Sequence, residues 1–87
     1  MIQLLYHGDF LKSAKQLPKK QAEKLISLID LFRDNPFHPF LHTTRLTGNL
    51  TGYLAFRITR DWRVIFQFLD PETIQLLRVV HRSDAYR

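Results

Sequence analysis

The apolar residues of this chain change their spacing once, and that change limits the fold more than any other feature. Through the first third they recur every three or four positions. Ala22, Leu25, Ile26, Ile29 and Phe32 mark one helical face, widened by Leu28 and Leu31. From Tyr53 onward they alternate. Leu54, Phe56 and Ile58 point one way, and Tyr53, Ala55 and Arg57 the other. After a turn at Thr59-Arg60-Asp61, Val64, Phe66 and Phe68 form one face and Arg63, Ile65 and Gln67 the opposite one. A chain that is helical first and stranded later predicts an α+β domain, with the helices segregated to one face of the sheet.

The remaining segments complete that outline. Ile2 to His7 reads as a first strand ended by Gly8, and Asp9 as the N-cap of a short helix through Leu17 that buries Phe10, Leu11, Ala14 and Leu17. Pro18 breaks this helix and can open the next. Asn35 before Pro36 stops the second helix, because a residue preceding proline is pushed out of the helical region. Asp70-Pro71-Glu72-Thr73 suits a type I turn, and Ile74 to His81 makes the last strand. The predicted order is β-α-α-β-β-β: two N-terminal helices on one face of a mostly antiparallel four-stranded sheet. Between helices and meander, Pro36 to Gly52 has no sustained period, and a loop of that length in a small domain is usually functional or partner-binding. Eighty-seven residues leave room for one domain, spanning 1–87. A chain this short buries only ~60% of its unfolded surface, so the core must be dense. With 45% hydrophobic residues and seven Phe, the material for one is present.

Charge narrows the partner. The formal net charge is +5, and its two components are segregated: all five lysines lie between Lys12 and Lys24, whereas every later basic residue is an arginine. The lysines read as a solvated helix surface. Arginine's planar fork suits bidentate recognition of phosphate or carboxylate, so the later residues are the candidates for a site and the expected partner is anionic. Zero cysteines exclude a disulfide scaffold and a thiolate zinc site. No apolar run approaches the ~20 residues of a membrane span. The first six residues lack a basic start and a long apolar stretch, so no signal peptide and no membrane partner are expected, and the expected location is cytoplasmic. Three glycines, Gly8, Gly48 and Gly52, cannot write a phosphate-cradling loop, and no serine lies in an elbow-like context. His38 and His42 are four apart but in a Pro-containing loop with no acidic third ligand nearby, so neither metal nor cofactor is expected.

The residues left for chemistry are Arg57, Asp61, Arg63, His81 and Tyr86. If the Leu54 and Val64 sets pack under the helices, Arg57 and Arg63 project from the open face. Parity on the last strand leaves two readings open. His81 shares it with Gln75, which would seat it beside the arginines, yet Leu77 and Val79 share it too and Arg78 takes the other. Metal-free RNA cleavage needs a proton-transfer group, cations on the phosphate and a base contact. Histidine, arginine and tyrosine can supply these in turn. The same residues also read as structural: a strand end, a core edge and a charged turn.

The chain resembles the RelE/ParE superfamily, small toxins of bacterial type II toxin–antitoxin systems. The resemblance spans nearly the whole length, through Leu46-Thr47-Gly48-Asn49-Leu50-Thr51-Gly52-Tyr53, Phe56-Arg57-Ile58, Asp61-Trp62-Arg63-Val64-Ile65-Phe66 and His81-Arg82-Ser83-Asp84-Ala85-Tyr86. It implies a compact toxin neutralised by an acidic antitoxin encoded beside it. The RelE- and YafQ-like branch cuts mRNA in the ribosomal A site, and likeness to it implies a metal-independent endoribonuclease with the ribosome and mRNA as partners. In that reading Arg63 contacts phosphate, Asp61-Trp62 belongs to the active region, Arg57 falls where related ribonucleases carry a lysine or histidine, His81 is the C-terminal acid or base, and Tyr86 is the terminal aromatic. Arg60, Trp62 and Arg82 would help hold substrate. The chain departs from that pattern where a histidine is replaced near Thr44 (His42 is close), where paired lysines give way to Ala55 and Arg57, and where Tyr86 stands one residue further from the histidine. The alternative is a ParE-like toxin that inhibits DNA gyrase without chemistry of its own. A third is a non-toxic basic binding module.

Overall fold

The structure, a computed structural model, describes residues 2–84. Strand β1 (Gln3–Tyr6) leads into helix α1 (Gly8–Lys15), and helix α2 spans Lys19–Asp34. The cap of α1 is His7 rather than Asp9: its Nδ1 accepts the Asp9 N–H at 3.1 Å, which satisfies one of the unpaired donors of the first turn. Asn35 ends α2 with an extended backbone, φ −153° and ψ 103°, as its following proline requires. The buried stripe of α2 is Leu25, Leu28 and Phe32. Ile26, expected on that face, is 68% exposed, since one residue turns the helix by about 100° and carries it past the contact line. Leu11 on α1 is likewise half exposed.

The sheet has five strands, not four, in the order β1-β5-β4-β3-β2, where β2 is Thr44–Arg45, β3 Leu54–Arg57, β4 Trp62–Asp70 and β5 Thr73–His81. Among the described residues only the β1–β5 pair is parallel. The additional strand is a two-residue edge inside the aperiodic loop, Thr44 and Arg45 lying opposite Ala55 and Leu54. A pairing that short leaves no alternation to read. Gly48 (φ 66°) and Gly52 (φ 98°) shape the turn between β2 and β3 in backbone conformations that side-chain-bearing residues rarely adopt.

The helices cover one face. Phe32, fully buried, packs its ring 4.8 Å from those of both Phe56 and Phe66, and Leu54, Ile58, Val64, Ile74, Leu76 and Val79 complete this core. The strand residues expected to point at the helices do so. The opposite face is not bare. Leu46, Ala55, Ile65 and Val80 form a second, smaller buried cluster, flanked by Leu50, Tyr53 and Leu77, so the loop folds back over that side of the sheet.

One irregularity decides which side chains share a face. Between β4 and β5, Ile65 lies opposite Arg78 and Phe66 opposite Leu76, which leaves Leu77 as an extra residue in a β-bulge. Beyond it the ladder continues with Val64 opposite Val79, Arg63 opposite Val80 and Trp62 opposite His81. Directly opposed residues of an antiparallel pair share a face, so the bulge reverses the parity of everything that follows it on β5. Past the end of β1, the Val79 N–H is taken up by Ser13 Oγ of α1 at 2.8 Å, and that hydroxyl donates to Asp9 O at 2.7 Å.

Candidate functional site

Arg57 and Arg63 face each other directly across β3 and β4, on the side of the sheet away from the helices. No bulge interrupts that pair of strands, so counting by twos places both correctly. Each side chain is partly buried, and the Nε of each is shut off from solvent without a hydrogen-bond partner. Among the described residues neither enters an ion pair. Like charges directly opposite in a sheet destabilise it, by roughly 0.2–1 kcal/mol, so the arrangement is an unneutralised cationic pair held in place by its strands.

The bulge brings a third arginine to this face. Arg78 lies opposite Ile65 and is therefore a diagonal neighbour of Arg63. It is exposed and borders a cavity of about 300 Å³ walled by Leu50, Tyr53, Ile65 and Leu77, with His7 and Asp9 at the α1 end. Parity alone leaves the side of Arg78 open, and it is not among the expected site residues. Leu76-Leu77 and Val79-Val80 are adjacent apolar pairs, as expected of a strand covered on both faces, and they carry no signal of the bulge.

The same bulge takes His81 away. It sits opposite Trp62 on the helix side, with the two rings edge to face at 5.2 Å and 89°. Its Nδ1 lies 2.9 Å from Ser83 Oγ and accepts the Ser83 N–H at 3.3 Å. This is the local turn that His7 makes to the Asp9 N–H and His38 to the Phe40 N–H. Of the two readings left open by parity, the structure has the one in which His81 and the arginine pair occupy opposite faces. Asp61 and Arg82 meet each other instead: the Arg82 N–H donates to Asp61 O at 2.7 Å, and Arg82 Nε stands 3.7 Å from Asp61 Oδ1. They tie the β3–β4 turn to the end of β5. Arg60 is exposed in that turn, and Tyr86 lies outside the described residues. Among the described residues no group of three His, Cys, Asp or Glu side chains could hold a metal ion, and no helix is long and apolar enough to cross a membrane. The geometry gives a face able to bind anions.

Known proteins supply the rest. The family model for the ParE toxin of the type II toxin–antitoxin system parDE matches residues 4–86. Among solved structures, Escherichia coli YafQ superposes with a TM-score of 0.81 at 22% identity, covering 100% of both chains. The Mycobacterium tuberculosis RelBE2 toxin–antitoxin complex contains a chain with TM-score 0.75 and 18% identity, covering 93% of this chain and 98% of that one. The RelE–RelB complex of the archaeon Pyrococcus horikoshii OT3 gives 0.74 and 23%, with 97% and 98% covered. At these identities the likeness is one of fold. No curated protein matches the chain. The family match overturns the expected endoribonuclease, because ParE toxins are non-catalytic inhibitors of DNA gyrase. That expectation rests on likeness to the RelE- and YafQ-like branch, and the geometry does not supply its proton-transfer group at the arginines, since His81 pairs with Trp62 on the other face. The chain belongs to the ParE toxin family of type II toxin–antitoxin systems, within the RelE/ParE superfamily.

Proposed function

We propose that this toxin acts by binding, with DNA gyrase as its target and the arginine-bearing face of the sheet as its contact surface, and that an acidic cognate antitoxin neutralises it. One observation carries the reading. Arg57 and Arg63 are paired and, among the described residues, unneutralised, while the histidine expected to move a proton for them, His81, faces the other way and is engaged with Trp62 and Ser83. Cations that hold an anion, with no histidine beside them among the described residues, favour association over bond cleavage. The antitoxin is supported by charge, since the chain carries +5, and by relatives solved as toxin–antitoxin complexes, among them DinJ–YafQ of E. coli. An acidic segment that folds on contact suits such a partner.

Inducible expression in a bacterium tests the proposal, with plasmid supercoiling and mRNA 5′ ends read from the same culture. Growth arrest with relaxed or broken DNA and intact mRNA is the expected result. Fresh mRNA ends with normal supercoiling, or no arrest at all, would refute it.

A further inference from the structure

The rows on the arginine face run Arg57–Arg63–Val80 and then Ala55–Ile65–Arg78. Diagonal neighbours such as Arg63 and Arg78 stand ~7–8 Å apart on an antiparallel pair. Beyond Arg78 the bulge residue Leu77 joins Leu50, Tyr53 and Ile65 around the cavity of about 300 Å³. That volume is at the bottom of the range for small-molecule pockets, roughly 300–1,000 Å³, and is ample for one apolar side chain. An apolar seat thus adjoins three arginines that have no ion-pair partner among the described residues.

We infer that this face is a docking groove for an extended acidic segment of a protein partner. Carboxylates two residues apart meet the Arg57–Arg63 pair and Arg78, and an apolar side chain two residues further on fills the cavity. The inference deepens the neutralising-partner reading and rests on it for the source of the segment. Its geometry comes from the spacings. An extended chain rises ~3.3 Å per residue and shows alternate side chains to one side, a repeat of ~6.6 Å that matches the arginine diagonal. A carboxylate between Arg57 and Arg63 cancels their mutual repulsion and gives each guanidinium a charge-assisted partner. The apolar seat argues for peptide over nucleic acid, because a phosphate backbone brings no aliphatic side chain to place there. Tyr53, the aromatic on this side, is committed to the small cluster instead of offering a free stacking surface. Asp9 at the α1 end repels a further carboxylate, so the pattern on the partner is acidic-x-acidic-x-apolar, with no acid just beyond the apolar residue.

Fluorescence anisotropy on the full chain tests this with a labelled ten-residue peptide containing Glu-Ser-Glu-Ser-Phe. The controls are the same peptide with Phe replaced by Ser, a scrambled peptide of equal charge, and a ten-nucleotide uridine RNA. The patterned peptide should bind about tenfold tighter than any control, and Arg78→Gln, at an exposed position that does not threaten folding, should remove about tenfold of that affinity. Equal affinity for the patterned and scrambled peptides, tighter binding of the RNA, or an unaffected Arg78→Gln variant each overturns the groove. If the peptide fails while expression still relaxes plasmids, the groove is wrong and the inhibitor reading stands. If the peptide binds and expression is harmless, the groove stands and the toxin reading falls.

Discussion

Replacing Arg63 with Met should make the protein more stable. The substitution keeps a long apolar stem in the same sheet position and removes both the charge facing Arg57 and a buried Nε without a partner. Relief of the like-charge pair contributes ~0.2–1 kcal/mol. Removing an unsatisfied buried donor contributes about 1 kcal/mol, the low end of the usual range because the side chain is only partly buried. The sum is about 1–2 kcal/mol. An 87-residue domain unfolds with an entropy of ~0.18 kcal/mol/K, so Tm should rise by about 5–10 °C. Circular dichroism melts at low and high salt would measure it, and the gain should shrink at high salt as the repulsive part is screened. Arg57→Met should behave alike. The double variant should gain less than the two singles together, by roughly the 0.2–1 kcal/mol of repulsion that either change alone removes. A lower Tm for both single variants, or strict additivity in the double, would show that the arginines are not a repelling pair.

Three further outcomes are expected. Ser13→Ala should destabilise by about 1–2 kcal/mol, read from urea unfolding, because it leaves the Val79 N–H without its acceptor where β1 has ended. Gly52→Ala should cost about 1 kcal/mol through backbone strain alone, since its φ is 98° while a Cβ there would meet nothing within 4 Å; the midpoint of chemical unfolding checks it. His81→Ala should leave growth arrest on induction intact, and loss of arrest in a folded variant would return a direct role to the imidazole.

Much of this architecture is legible in the spacing of apolar residues, where packing is regular. Phe32 meets Phe56 and Phe66 because α2 keeps one period and β3 pairs with β4 without interruption. The cluster around Leu46 and Ala55 was hidden, because Leu46 and Leu50 come from a loop that obeys neither period. Arg57 and Arg63 could be placed because the strands between them pair without interruption. Arg78 and His81 could not, because both lie beyond an extra residue that a count by twos cannot see. Chemistry depends on adjacency, and residue types that permit a reaction do not establish that they meet.

The bulge at Leu77 also bears on how relatives of this chain are compared. A bulge formed without a change in chain length leaves every later letter in its place while reversing the side from which it looks out. A relative with a straight last strand could align without a gap through His81 and present that histidine to the arginines, where this chain presents Val80. In this chain the order of letters and the order of the surface are therefore separate records. The second is kept by the rungs across the ladder, Ile65 with Arg78 and Trp62 with His81.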